Sequence, residues 1–110
     1  MNWINITKAG QLEEIKELSA SKPQVIFKHS TRCSISSVAK SRLERAATPP
    51  NIDFYYLDLI SFKDISAKIA TDFSVHHESH QILLIKNREC VYDESHSGVN
   101  MDDIKEQALT

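Results

Sequence analysis

Residues 25–36, Val-Ile-Phe-Lys-His-Ser-Thr-Arg-Cys-Ser-Ile-Ser, join a buried strand to a helix. The apolar residues Val25 to Phe27 are consecutive, as in a strand that is buried on both faces of a sheet. A helix is predicted over roughly residues 34–47. Its apolar positions at helical spacing are Ile35, Val38, Ala39, Leu43 and Ala46. Cys33 is therefore predicted to lie where a central strand passes into a helix.

Helices and strands alternate on both sides of this stretch. Before it, a helix is predicted from near Gly10 to a point before Pro23, with Leu12, Ile15 and Leu18 on one apolar face. After it, Pro49-Pro50 ends the second helix. Residues 52–59 are rich in β-forming residues and predict a second buried strand. A third helix is predicted from the spacing of Phe62, Ile65, Ile69 and Phe73.

The C-terminal third predicts a hairpin and a last helix. Ile82 to Ile85 is an apolar strand, residues 87–89 form a turn, and Cys90 to Tyr92 pairs back. Asn100 is predicted to cap the last helix, with Asp102 and Asp103 in its first turn. The apolar face of that helix consists of Met101, Ile104 and Ala108.

The order of these elements defines an α/β fold. Strands that alternate with helices are expected to be parallel, and the final hairpin is antiparallel. This is the thioredoxin-like arrangement: a central mixed β-sheet of four strands flanked by four helices, with residues 3–6 as a candidate fifth strand at the edge. We expect residues 1–110 to form a single domain.

Composition narrows the class of function. The chain has 110 residues, of which 41% are hydrophobic and 25% charged, and its formal net charge is -2. We expect no nucleic-acid partner, because no basic field is available to hold a phosphate backbone. No apolar stretch is long enough for a membrane helix, and the N-terminus lacks the pattern of a secretory signal. The expected location is the cytoplasm, where widely separated cysteines are more often free than bridged.

The position of Cys33 predicts a reactive thiol. The first turn of a helix presents unpaired N–H groups and the positive end of the helix dipole, and both favour the thiolate over the thiol. Arg32 is a further source of positive charge, although its side chain can equally point into solvent. Ser36 lies three residues on, where we expect its hydroxyl to donate to the Cys33 sulfur. A hydroxyl cannot resolve a mixed disulfide, so a second molecule must release the product.

Each cysteine also has a purely structural interpretation. Cys33 could be a buried, inert helix residue, but its polar neighbours argue against burial. For Cys90, between Glu89 and Val91 in a strand, the structural interpretation is favoured: a small hydrophobic residue in a sheet.

Three motifs resemble a known family. Residues 27–36, then His77-Glu78-Ser79 before the Ile-Leu-Leu-Ile strand, then residues 93–97, Asp-Glu-Ser-His-Ser, are similar to the monothiol bacilliredoxins, the YtxJ-like proteins of the bacillithiol system. The likeness extends over nearly the whole chain and keeps the order and spacing of the motifs. It implies a thioredoxin fold and a cytosolic redox role, in which bacillithiol or a similar small thiol is removed from protein cysteines.

The resemblance also implies a site. The family motif matches Thr31, Cys33, Ser34 and Ser36, with Cys33 as the active cysteine. In the thioredoxin fold, substrate normally lies along the loop before the third core strand, and the residues expected to bind it here are Arg32, Ser79, His80 and Gln81. The implied partners are S-thiolated proteins and a low-molecular-weight thiol as co-substrate. No tightly bound cofactor and no metal are expected.

One position departs from the fold's usual pattern. Thioredoxin-fold proteins generally place a cis-proline just before the third core strand, beside the active cysteine, and here that position holds His80. A cis peptide bond before a non-proline residue costs roughly 3–4 kcal/mol. The Ser79–His80 bond is therefore either cis or relaxed to trans, and the sequence leaves both open.

The nearby histidines have three interpretations. His76, His77 and His80 lie close together, on a loop that this fold is expected to bring near the helix start with Cys33, and the simplest interpretation is a solvated loop without a special role. In the second, His80 stands beside the Cys33 thiolate as an ion-pair partner. In the third, Cys33, His80 and a second histidine hold zinc. His29 is expected to be a hydrogen-bonded core residue, and His96 receives no chemical role.

Two classes of function follow. The leading hypothesis is a monothiol thiol-disulfide oxidoreductase that acts through Cys33. The alternative is a non-enzymatic thioredoxin-like module that binds a metal or a protein partner at the corner formed by Cys33 and His80.

Overall fold

A computed structural model describes residues 1–110 and contains five strands and four α-helices. In chain order these are β1 (Ile4–Asn5), α1 (Gln11–Leu18), β2 (Gln24–His29), α2 (Ser34–Arg45), β3 (Asp53–Asp58), α3 (Lys63–Asp72), β4 (Gln81–Lys86), β5 (Glu89–Ser95) and α4 (Met101–Leu109). A single 3₁₀ turn, His96–Gly98, precedes α4. No helix is both long enough and apolar enough to span a membrane.

The strands form one mixed sheet in the order β1-β3-β2-β4-β5. β1, β3 and β2 are parallel, whereas β4 is antiparallel to β2 and β5 is antiparallel to β4. The predicted thioredoxin-like sheet is therefore confirmed, and residues 4–5 provide its fifth strand at the edge. β2 is central, and all six of its residues are buried.

Helices cover both faces of the sheet. One core lies between the sheet and the pair α1 and α3, and the other lies between the sheet and the pair α2 and α4. Successive residues of β2 alternate between them: Ile26 belongs to the α1/α3 core, and Val25 and Phe27 belong to the α2/α4 core. A strand covered on both faces explains the continuous apolar run in the sequence.

Two helical faces differ from those predicted. Leu18 is exposed, and Ser19 is buried in its place at the end of α1. In α2, Ile35 and Val38 are 65% and 49% exposed. The buried face of α2 instead comprises Ser36, Ala39 and Leu43, which also follow helical spacing.

The turn between β4 and β5 and the N-terminal cap of α4 are both as predicted. Asn87 and Arg88 have φ values of 52° and 68°, the left-handed backbone that a two-residue hairpin turn uses. At the start of α4, the Asn100 side chain accepts a hydrogen bond from the Asp103 backbone N–H at 2.9 Å. This cap satisfies one of the N–H groups that a helix end leaves unpaired.

Candidate active site

Cys33 is the N-cap residue of α2, directly after the loop that leaves β2. Its carbonyl accepts the first helical hydrogen bond, from Ser37 N–H at 3.1 Å, and its own N–H donates to Ser30 O at 3.1 Å. The next three backbone N–H groups, of residues 34–36, have no acceptor within the protein. The start of α2 therefore leaves unpaired backbone donors next to Cys33 in the chain, and the Cys33 sulfur accepts no hydrogen bond from them.

The surface around Cys33 is open. Cys33 is half-buried, and the predicted site residues Thr31, Arg32 and Ser34 are exposed beside it. Cys33 lines none of the five best-defined clefts of the molecule. A thiol on an open surface can be reached by a group attached to another protein.

Ser36 lies in a different environment from the one predicted. It is fully buried, and its Oγ accepts a hydrogen bond from Ser30 N–H at 3.1 Å and lies 2.7 Å from His29 Nδ1. No hydrogen bond joins it to the Cys33 sulfur, so the expected donation is absent. The reason is orientation, because Ser36 faces the sheet and meets the end of β2.

His29 explains the direction of that hydrogen bond. Burial lowers the pKa of His29, and the Lys40 ammonium lowers it further, so the ring is neutral at pH 7. If His29 Nδ1 accepts from the Ser36 hydroxyl, both polar groups of that buried pair are satisfied. His29 stacks on Phe27 with ring centroids 5.7 Å apart. The expectation of a hydrogen-bonded core histidine is confirmed.

The loop before β4 adopts the cis alternative. The Ser79–His80 peptide bond is cis. His80 is buried, and its Nε2 lies 3.2 Å from His96 O. A carbonyl only accepts, so His80 Nε2 carries the proton. This hydrogen bond ties the loop to the 3₁₀ turn that packs against α2, and it gives His96 a backbone role that the sequence did not indicate.

His80 makes no hydrogen bond to Cys33, so the geometry shows no ion pair of the kind that the second interpretation requires. Its neighbours in the predicted substrate-binding set divide into two environments. Ser79 is exposed. Gln81 is fully buried, and its Nε2 donates to His76 O at 2.9 Å. The Gln81 side chain thus shapes the loop from within and does not reach the surface, which corrects its predicted contact with substrate.

The side chains of His76, His77 and His80 contact three different parts of the protein. His76 is exposed, with Nε2 3.9 Å from Glu78 Oε1. His77 Nδ1 lies 3.0 Å from Lys28 Nζ, whereas His80 contacts the 3₁₀ turn. No group of three His, Cys, Asp or Glu side chains comes together in a way that could hold a metal ion.

Cys90 has the structural surroundings that the sequence favours. It is partly buried against the α1/α3 core, and its Sγ–H donates to Tyr92 O at 3.4 Å. Burial raises the pKa of Cys90 to about 11. The thiol is therefore protonated at neutral pH and is a poor nucleophile.

Sequence reasoning did not single out Lys28. Its side chain is fully buried (0% exposed) and forms no ion pair with a carboxylate. Burial lowers the pKa of Lys28 to about 8. The sequence did hold a signal: a lysine directly follows the apolar run of a strand predicted to be covered on both faces. Lysine is almost never fully buried without a partner, so such a position is unusual.

The fold and the site together define a class: a thioredoxin-fold protein with one thiol at the N-terminus of the helix that follows the central strand. The chain is similar to a solved structure that is described as a putative oxidoreductase with a thioredoxin fold. The two are 29% identical, and the TM-score is 0.83 over 94% of this chain and 91% of the other. Thioredoxin from Fasciola hepatica is 19% identical, with a TM-score of 0.71 over 96% and 95% of the two chains. Thioredoxin from Schistosoma mansoni is 20% identical, with a TM-score of 0.64 over 98% and 94%.

Within that class, the sequence pattern of the family described as monothiol bacilliredoxin BrxC matches residues 4–104. The chain belongs to the monothiol bacilliredoxin family. Family and fold support a thiol oxidoreductase role.

Proposed function

We propose that this protein removes a low-molecular-weight thiol, bacillithiol or a similar compound, from mixed disulfides on other proteins, with Cys33 as the only reacting cysteine. The observation that carries the proposal is the position of Cys33. It caps α2 on an open surface, next to three unpaired N–H groups, and no second thiol lies in the following turn.

The first step is a thiol-disulfide exchange. The Cys33 thiolate attacks the small-thiol sulfur of the mixed disulfide, so that a Cys33–small-thiol bond forms and the protein–small-thiol bond breaks. The substrate protein leaves as a thiolate and takes a proton from solvent. No net oxidation occurs, because one disulfide replaces another.

The second step needs another molecule. Ser36 occupies the position three residues after Cys33 where a resolving cysteine would stand, and its hydroxyl is held by His29 and Ser30. A second small thiol or a dithiol reductase therefore attacks the Cys33 disulfide. It releases the Cys33 thiolate and leaves as a disulfide itself.

The surrounding residues support these steps in different ways. The N–H groups at the start of α2 stabilise the thiolate before attack and after release. Thr31, Arg32, Ser34 and Ser79 are exposed near this end of the sheet and form the surface available to the substrate. A protein substrate and a small-thiol pool of this kind belong to a reducing compartment, which is consistent with a cytoplasmic location.

The experiment is a dethiolation assay. Reduced protein is mixed with a bacillithiolated or glutathionylated substrate protein, and the released substrate thiol is followed over time. We expect Cys33→Ala to reduce the rate about 100-fold or more, because it removes the nucleophile. Cys90→Ala is the matched control and should keep the parent rate. If Cys33→Ala dethiolates the substrate as fast as the parent, the proposal is wrong.

A further inference from the structure

A cleft lies on the opposite face of the sheet from α2. It has a volume of about 470 Å³ and is lined by Leu59, Lys63, Ser66, Ala67, Ala70 and His77. The lining comes from the residue directly after β3, one side of α3 and the loop before β4. A cleft of this size is in the range of small-molecule sites.

Lys28 lies behind the wall of this cleft. It follows Phe27 along β2, so its side chain points to the α1/α3 face, where Nζ reaches His77 Nδ1 at 3.0 Å. Lys28 is fully buried, whereas His77 is exposed and covers it. No carboxylate forms an ion pair with Lys28, and burial lowers the pKa of its ammonium to about 8. A buried cation without a counter-ion is costly, and such groups beside a cleft are candidates for a functional role.

Two polar groups of the lining, His77 Nε2–H and the Lys63 ammonium, are free to donate. An ammonium only donates, so Lys28 makes His77 Nδ1 the acceptor and leaves the proton on Nε2, at the outer side of the ring. Ser66 Oγ also lies 3.4 Å from His77 Nδ1. Lys63 adds a second ammonium, and no carboxylate lines the cleft. Leu59, Ala67 and Ala70 provide its apolar part.

We propose that this cleft binds a small organic carboxylate with a short aliphatic body. The carboxylate group would lie at the His77 side and accept from Nε2–H and from Lys63, with the charge of Lys28 behind it. The aliphatic part would contact Leu59, Ala67 and Ala70. The positive charge of Lys28 acts strongly at short range because the surrounding core is poorly polarisable. This site does not include Cys33, so it stands independently of the proposed redox function.

The test is a titration of the whole protein with hexanoate, followed by backbone amide chemical shifts in NMR. We expect the shifts to concentrate at Ser66, Ala67, Ala70 and His77. Hexanamide, the neutral isostere, should bind about tenfold more weakly or worse because it lacks the charge. Inorganic phosphate should also bind about tenfold more weakly, because it lacks the aliphatic body.

Variants separate charge from shape. Lys28→Met should weaken hexanoate binding about tenfold or more, and Lys86→Met, at the far end of β4, should leave it within about twofold. Ala67→Glu adds a carboxylate at an exposed helix position that tolerates it, and should abolish binding while leaving Lys28 in place. Equal binding of hexanamide or phosphate, an unchanged affinity in Lys28→Met or in Ala67→Glu, or shifts located elsewhere would each overturn the proposal.

Discussion

The two cysteines of this chain differ in their positions in the fold. Cys33 stands at a helix start with unpaired N–H groups, and Cys90 donates to a carbonyl in a partly buried strand. Burial raises the pKa of Cys90 to about 11, which leaves about one molecule in ten thousand as thiolate at pH 7. Location in the fold, and not residue type, thus separates the candidate nucleophile from the structural thiol.

Ser36 is a positioning residue in this arrangement, because it fixes the first turn of α2 to the end of β2. We predict that Ser36→Ala lowers the free energy of unfolding by about 1–3 kcal/mol, because it leaves His29 Nδ1 and Ser30 N–H buried without a partner. Urea denaturation followed by the fluorescence of Trp3, the only tryptophan, measures this. Ser37→Ala, on the exposed side of the same turn, is the control. A loss no larger than that of the control would show that the buried pair contributes nothing.

Lys28 leads to the opposite expectation for stability. We predict that Lys28→Met raises the free energy of unfolding at pH 7 by about 1–3 kcal/mol, because a buried charge is replaced by an apolar side chain of similar length. His77, which loses its donor, is exposed and can bond to water.

The pH dependence of the Lys28 effect has a definite sign. The pKa of Lys28 is about 8 in the folded protein, and lysine in an unfolded chain has a pKa of about 10.4. Between these values the unfolded chain binds more protons, so the contribution of Lys28 to stability should rise with pH from about 8 to about 10.4. Denaturation of parent and Lys28→Met across this range checks it. A difference between them that does not shrink as pH rises would contradict the assignment.

At the scale of elements, α4 begins with a well-defined cap. We predict that Asn100→Ala costs about 1 kcal/mol of stability, because the Asp103 N–H loses its acceptor. The exposed Asn2 makes no side-chain hydrogen bond, so Asn2→Ala is a suitable comparison. Thermal or urea unfolding measures both variants. Equal stability of the two would mean that the cap is not a determinant of α4.

The face of α2 that is buried against the sheet could not be predicted from the spacing of apolar residues. Helical spacing favoured a face with Ile35 and Val38, but the polar Ser36 is buried because it binds His29 and Ser30 across the helix start. The element order, the hairpin and the Asn100 cap were predictable because period, turn position and cap chemistry act locally. The cis Ser79–His80 bond was not, since no proline marks it.

At the scale of the whole molecule, a sheet covered on both faces presents two different surfaces near the end of β2. Phe27 and His29 pack on the α2 side, whereas Lys28 points to the other face, where it contacts His77. Strand alternation alone separates these environments. The sequence predicted the position of Cys33 because strand-to-helix connections are visible in it. It did not predict the cleft in front of Lys28, because its lining comes from the residue after β3, from α3 and from the loop before β4, which are separated in the sequence.

The central claim is that Cys33 accepts a small thiol from a protein mixed disulfide and holds it until another molecule releases it. The most direct measurement is the intact mass of the Cys90→Ala protein after mixing with a bacillithiolated substrate and rapid acid quenching. We expect a gain of one small-thiol group, located at Cys33 by peptide mapping, in step with the appearance of free substrate thiol. Cys33 is the only cysteine left in this variant. Release of the substrate thiol without any thiolated Cys33 would contradict the claim.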